Sequence, residues 1–329
     1  MSKEFRGPIF IVGMSRSGTK LLRDILNNSN EVAIPSFESH FIPYLVDNFT
    51  EKFPLNGEDA REFKELIKNS IFYNEITKDN KYIGNIDLDK ITSQKDLQSA
   101  VKSIILLLTP QKKDTKVWGD KTPNNMLHMV KLKRAFPSAK FVHIIRDPRE
   151  RALSTKKAWG TSIVSSAERW RKGVTKARAQ GVELGDDYAE ITYEELTARP
   201  EHQIKRICKF IDIKYSSTMT QLTRSAEVYK TAKNNTMAAR SVLSGNVEKY
   251  KEWFSAKEIS QIEDVCGDTL TEFGYVRDTM AQQRHYRLST AKKIYIKVHD
   301  SIMTTLFHVR RWGLVKGIKY LLWRKKVTI

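Results

Sequence analysis

The chain has 329 residues, enough for one large domain or two modest ones, and its 40% hydrophobic and 10% aromatic content can build a sizeable core. With 15 glycines and 9 prolines, a collagen-like, low-complexity or wholly disordered protein is excluded. The 57 Lys and Arg against 38 Asp and Glu give a net charge of +19, which favours polyanionic partners such as nucleotides, sulfated glycans, nucleic acid or anionic lipid.

That charge is uneven. Residues 283–329 hold twelve basic residues and one acid, Asp300, so this tail carries +11 and residues 1–282 the remaining +8. The two cysteines, Cys208 and Cys266, stand far apart, which fits structural thiols in a reducing compartment better than a disulfide framework or a zinc site. The apolar stretch of about five residues before Gly13 is too short for a signal peptide or an anchor, and no other run reaches spanning length. A cytoplasmic location is the expectation.

In chain order, Pro8 to Val12 is an apolar, β-branched run stopping at Gly13, the composition of a buried parallel strand. A helix is predicted from Thr19, with Leu21, Leu22, Ile25 and Leu26 at helical spacing, until Asn27 to Asn30 breaks it. Glu31 to Ile34 reads as a second strand, completing a βαβ unit that would place a phosphate at a helix N-terminus. Residues 51–115 carry helical patterns, clearest over Glu62–Ile71 and Leu97–Leu108, and read as an insertion or lid. A strand end and turn over Val117–Pro123, a helix over Asn124–Phe136 and a strong strand over Phe141–Ile145 form another such unit. Helices are predicted over Arg149–Trp159, Ser165–Ala179, Pro200–Ile211 and Ala256–Phe273, with a strand over Tyr188–Thr192.

Gly13-Met14-Ser15-Arg16-Ser17-Gly18-Thr19-Lys20 approaches the phosphate-loop pattern G-x-x-x-x-G-K-[ST], but its last two residues are inverted. In nucleoside-triphosphate enzymes the lysine after the second glycine reaches the β and γ phosphates and the next hydroxyl binds magnesium. Neither role is filled in register here. What remains is a row of backbone amides at a helix N-terminus with Arg16 beside it, suited to one phosphate-like group without a metal.

These residues carry a family resemblance. Arg16-Ser17-Gly18-Thr19 after an apolar strand resembles the 5'-phosphosulfate loop of sulfotransferases that use 3'-phosphoadenosine 5'-phosphosulfate (PAPS). Phe141 to Arg149, with Ser154 eight residues after Arg146, resembles the 3'-phosphate segment of the same family. Physically, an arginine leaving a buried strand and a serine in the next helix can converge on a phosphate; the weaker alternative is that Arg146-Asp147 is a structural ion pair at a strand end. Gly119 to Pro123 resembles the family's central lysine segment, and Ile191 to Leu196 its strand-Tyr-Glu-x-Leu element. The likeness covers roughly residues 8–275. It is nearest to the tyrosyl-protein and carbohydrate-modifying branches, because Glu38 to Pro43 follows the second strand as their catalytic glutamate segment does.

The resemblance implies an α/β, three-layer, P-loop-like fold: a central parallel sheet flanked by helices. It would form one domain over 1–280, with 51–115 as insertion or lid and 281–329 as a basic helical tail. The implied enzyme moves a sulfuryl group from PAPS to an acceptor hydroxyl, without a metal. Glu38 is then the general base, with His40 its rival because imidazole titrates near neutrality. Lys121 and Arg16 would stabilise the bridging and leaving oxygens, and Ser17, Gly18, Thr19 and Lys20 would hold the 5'-phosphate. Arg146 and Ser154 fall on the 3'-phosphate, Tyr193 near the adenine, and Arg240 in a late covering loop before Trp253.

From Lys292 onward, Tyr295, Val298, Ile302, Leu306 and Val309 recur every three or four residues, and Trp312, Val315, Ile318 and Leu322 continue the pattern among basic residues. Three readings stay open: a peripheral membrane-surface helix, a helix docked on the core or a second subunit, or a surface that docks an acidic substrate. The acceptor implied is a carbohydrate hydroxyl, with tyrosyl or small-molecule acceptors open and no nucleic-acid partner. The rivals are a P-loop kinase of a small substrate, which needs magnesium, and a non-catalytic protein that binds polyanions or membrane.

Overall fold

The computed structural model describes residues 5–70, 73–74, 87–107, 109, 112, 114–221, 247–279 and 289–327. Five parallel strands, β1 (Ile9–Gly13), β2 (Val32–Ala33), β3 (Val117–Lys121), β4 (Lys140–Ile145) and β5 (Tyr188–Thr192), form one sheet in the order β2-β3-β1-β4-β5. β1 is central and its five residues are all buried, as the apolar run predicts. Its register pairs Ile9 with Gly119 on one side and Lys140 on the other, and Gly13 ends opposite Ile144. The chain leaves β1 toward β2 and β3, then crosses to β4, so the switch point lies at the carboxyl end of β1. In open parallel sheets that crevice is where ligands bind.

Helix α1 (Thr19–Asn27) buries Leu21, Leu22, Ile25 and Leu26 against one face of the sheet, each contributing roughly 1.5–3 kcal/mol. The other face carries a larger core, to which α2 (Ile42–Phe49), α3 (Gly57–Lys68) and α4 (Leu97–Leu107) bring Phe49, Phe63, Leu66 and Ile104. The described helices between residues 51 and 115 are therefore layered into the core.

The helix expected over 124–136 is split: a tight 3-10 turn spans Pro123–Leu127, and α5 (Met129–Ala135) starts after His128. Asn125 donates its side chain to Asp120 at 3.1 Å and its backbone N–H to the Thr122 carbonyl, holding the turn away from α geometry. α6 (Pro148–Trp159) and α7 (Ile163–Leu184) follow β4, and α8 (Pro200–Phe210) follows β5. α9 (Ala256–Cys266) is shorter than predicted, because Gly267 at φ 58° breaks the pattern before a last turn at Thr269–Glu272. The tail forms a hairpin, α10 (Thr290–Trp312) and α11 (Leu314–Val327), hinged at Gly313. Among the described residues no helix is long and apolar enough to cross a membrane. Cys208 and Cys266 are buried and free.

Candidate active site

Between β1 and α1 the chain turns sharply. Ser17 N–H closes on the Met14 carbonyl at 3.1 Å, Arg16 sits at φ 74° and Gly18 at φ 96°. A side chain at Gly18 would be strained by that φ, and a Cβ there would also lie 2.4 Å from the Tyr193 ring. Gly18 caps α1, so no side chain occupies the cap, and the first turn holds no acid. The Ser17 hydroxyl is buried with no hydrogen-bond partner among the described residues. A helix N-terminus without a side-chain cap, the positive end of its dipole and an unsatisfied hydroxyl fit a phosphate-like anion. Arg151, buried in α6, holds the loop by donating to the Ser15 carbonyl at 3.1 Å. Burial, helped by Arg169, pushes its guanidinium down to about 9.

The second predicted phosphate segment meets the first. Arg16 Nε donates to the Ser154 hydroxyl at 3.0 Å, and Arg146 Nη1 reaches the Arg16 carbonyl at 3.5 Å. Arg16 as a residue stays exposed, yet desolvation of its guanidinium and then the like charge of Arg146 push it below the ordinary arginine value. Two guanidiniums whose like charges act on each other favour an anion between or beside them. Arg146 pairs with Glu150 at 3.0 Å, lies over the Tyr193 ring at 4.2 Å, and accepts at its carbonyl from Trp170 Nε1 at 2.9 Å. Asp147 pairs instead with Arg149 at 2.7 Å, so the strand-end ion pair weighed from sequence belongs to different partners.

Across the carboxyl edge, Glu38 leaves the loop after β2 and Lys121 ends β3. Lys121 Nζ lies 2.6 Å from Glu38 Oε1, and His40 Nε2 lies 3.1 Å from Glu38 Oε2. The Lys121 side chain is 3% exposed and that of Glu38 33%, so the lysine is held while the carboxylate keeps an open side. Burial would raise the Glu38 carboxyl, but Lys121 and His40 hold it well below the usual carboxylate range. Burial lowers the His40 imidazole against the pull of Glu38, and Arg324 and Lys121 push the same way. The segment is pinned from β3: Ser39 N–H donates to Thr122 Oγ1 at 3.0 Å, and the buried Asp120 carboxyl, raised to about 6 by desolvation, lies in the same network.

Sequence reading missed the tail's part in this site. In α11, Trp323 Nε1 donates to the Leu66 carbonyl at 3.1 Å, Lys326 pairs with Glu62 at 3.2 Å, and Tyr320 is buried. His308 of α10 lies between Trp312 and Tyr320, with ring centroids 5.0 and 4.9 Å away. Arg324 donates to the Tyr320 hydroxyl at 3.2 Å. Arg324 and His308 act electrostatically on His40, and Tyr320 on Glu38, so the hairpin lies near the Glu38–His40 side, and no local pattern in residues 289–327 points to that partner. Arg151 was also missed. Lys20 is half-buried in the first turn of α1, and Arg240 lies outside the described residues. Among the described residues no cluster of His, Cys, Asp and Glu could hold a metal ion.

Residues 8–217 match the sequence profile described as Sulfotransferase family. An uncharacterized protein of Aquifex aeolicus is 24% identical over 257 residues, 75% of this chain and 30% of its own length. Protein-tyrosine sulfotransferase 2 of Gallus gallus is 25% identical over 220 residues, 64% of this chain and 52% of its own. The chain therefore spans about a third to a half of these curated relatives. A similar fold is seen in the sulfotransferase domain from the Synechococcus PCC 7002 olefin synthase, with a TM-score of 0.52 and 18% identity over 82% of this chain and 98% of that one.

Proposed function

The chain belongs to the sulfotransferase family, and on that premise we propose that it transfers a sulfuryl group from PAPS to an acceptor hydroxyl, within a catalytic domain spanning residues 1–280. The observation that carries the donor assignment is the convergence of Arg16, Arg146 and Ser154 beside an uncapped helix N-terminus. In this reading Ser17 and the amides of Gly18, Thr19 and Lys20 hold the 5'-phosphate, and Arg146 with Ser154 holds the 3'-phosphate. Tyr193 positions both through Gly18 and Arg146, at the adenosine side. Arg240 is assigned to the cover of the same nucleotide.

When bound, the donor supplies an activated sulfuryl group on a phosphate leaving group. Glu38 takes the proton of the acceptor hydroxyl as its oxygen bonds to sulfur. Lys121 and Arg16 hold positive charge where the departing phosphate oxygen keeps the electron pair. His40 orients Glu38 and is the rival base. We read the acceptor as a carbohydrate hydroxyl; a tyrosyl hydroxyl is the second reading, favoured by relatives named protein-tyrosine sulfotransferases. We place the enzyme in the cytoplasm, with its C-terminal helices against a membrane surface.

Calorimetric titration with 3'-phosphoadenosine 5'-phosphate, without magnesium, tests the donor assignment. Binding should weaken in Arg146→Ala. Failure to bind alongside magnesium-dependent ATP binding would replace this reading with a kinase. A screen of carbohydrate and tyrosyl-peptide acceptors then decides the second substrate.

A further inference from the structure

The C-terminal hairpin has two unlike sides. On its inner side Asp300 accepts from Ser162 N–H at 2.8 Å and pairs with Arg169 at 2.6 Å, Met303 lies against Gly160, and Phe307 packs edge-on to Trp159. Tyr320, Trp323 and Val327 do the same for α11, joining the main core. At 100° per residue, the stripe of Val298, Ile302 and Leu306 is centred about 130° from that of Asp300, Met303 and Phe307, and Val315, Ile318 and Leu322 fall opposite Tyr320 and Val327. All six stand 40–66% exposed. Of the thirteen large hydrophobic side chains exposed among the described residues, nine lie on these two helices, so this is a local surface feature and not ordinary scatter.

The occupant is indicated by charge. Residues 289–327 hold ten Lys and Arg and a single acid, and that acid, Asp300, is buried on the docked side. A second copy of the hairpin would bring the same positive charge to the same stripe. A bilayer containing anionic lipid offers both an apolar interior and negative headgroups. Neither helix is long and apolar enough to cross it.

We propose that the outer stripes of α10 and α11 are the surface by which this protein docks on an anionic membrane, lying in the interface while the inner faces lie near the Glu38–His40 side of the site. This rests on the membrane placement above and is independent of the donor assignment. The helices then serve two ends at once: they complete the acceptor side and bring it to the lipid headgroups.

The test is co-sedimentation of the full chain with vesicles of phosphatidylcholine containing about one-third phosphatidylglycerol, against phosphatidylcholine alone. The wild type should partition at least ~10-fold more strongly to the anionic vesicles, and V298E/I302E/V315E/L322E should lose at least ~10-fold of that binding. K316E/K319E should lose part of it and make the remainder less salt-sensitive. The first variant should keep the wild-type far-ultraviolet circular dichroism and affinity for 3'-phosphoadenosine 5'-phosphate, because all four positions are exposed. No vesicle binding, or equal binding by the variant, overturns the proposal. So does a wild-type dimer by light scattering that the variant converts to monomer, since the stripe would then be covered by a second copy. Loss of nucleotide binding in the wild type would sink the donor reading and leave this one standing.

Discussion

On the proposed donor side of the site, the groups assigned to an anion come from two short stretches, Gly13 to Lys20 and Arg146 to Ser154, each leaving the end of a central strand. On the proposed acceptor side they come from three places far apart in the chain: Glu38 after β2, Lys121 at the end of β3, and Tyr320 and Arg324 on the C-terminal hairpin. The proposed donor side joins the backbone of a left-handed loop to the side chains of Arg16, Arg146 and Ser154, which strand register brings together. The acceptor side is side chains, fixed by ion pairs and aromatic packing. A phosphate can be held by amides at a helix terminus in almost any sequence that makes the turn, whereas a base and its counter-cation must be brought together by the whole fold.

If that division is right, the largest effect falls on the acceptor side. Lys121→Ala should lower kcat by about 10²–10⁴-fold while affinity for 3'-phosphoadenosine 5'-phosphate stays within a few-fold, as read by single-turnover transfer and calorimetry. An equal loss in both would mean that Lys121 serves the nucleotide and that the two walls are not separate. On the donor side, Arg146→Ala should weaken the nucleotide by roughly 10–100-fold, about one charge-assisted bidentate contact. Gly18→Ala should weaken it too and lower the thermal midpoint, because its Cβ meets the Tyr193 ring. A Gly18→Ala protein with wild-type affinity would show that the loop is not the cradle.

The pH profile separates the two bases. Lys121 and His40 hold Glu38 well below the ordinary carboxylate range, so with Glu38 as base kcat/KM should stay flat on the acid side until below about 4. With His40 as base the acid limb should appear higher, below the ordinary imidazole value toward which burial depresses it. A limb that moves when His40→Gln is made, with Glu38 intact, would reassign the base.

The smallest effect concerns the hairpin. Burial, with Arg324 and Arg311 nearby, depresses His308 to about 4. Its unfolded form takes up a proton near 6.5 and its folded form only near 4, so the stability it contributes is present above pH 6.5 and lost as pH falls through that window. Tryptophan fluorescence of Trp312 and Trp323 during denaturant titration should show a lower midpoint at pH 4.5 than at 7. His308→Phe, which keeps the aromatic stack, should reduce the difference; an unchanged difference would show that another group loosens the tail.

Much of this was legible in the sequence. The apolar run before Gly13, the loop itself, the strand ending at Ile145 and the strand from Tyr188 to Thr192 could be placed because strands buried on both faces and glycine-bounded turns leave local signatures. Boundaries failed where a side chain competed with the backbone, as Asn125 does with Asp120, or where one glycine broke a continuous pattern, as at Gly267 and Gly313. Glu38 could be nominated only through its likeness to a family segment, since a lone glutamate in a loop has no pattern of its own.

By itself the sequence determined the parallel sheet, the phosphate loop without its magnesium hydroxyl in register, and the amphipathic character of the tail, because each depends on neighbours within a few residues. Only the tertiary structure decided that Arg16 meets Ser154, that Lys121 grips Glu38, and that the tail's stripe faces outward while Tyr320 and Trp323 close on the core. Those contacts join residues from 83 to nearly 260 positions apart. Which of several available partners a charged or aromatic side chain takes depends on the packing of elements whose relative placement no local pattern encodes.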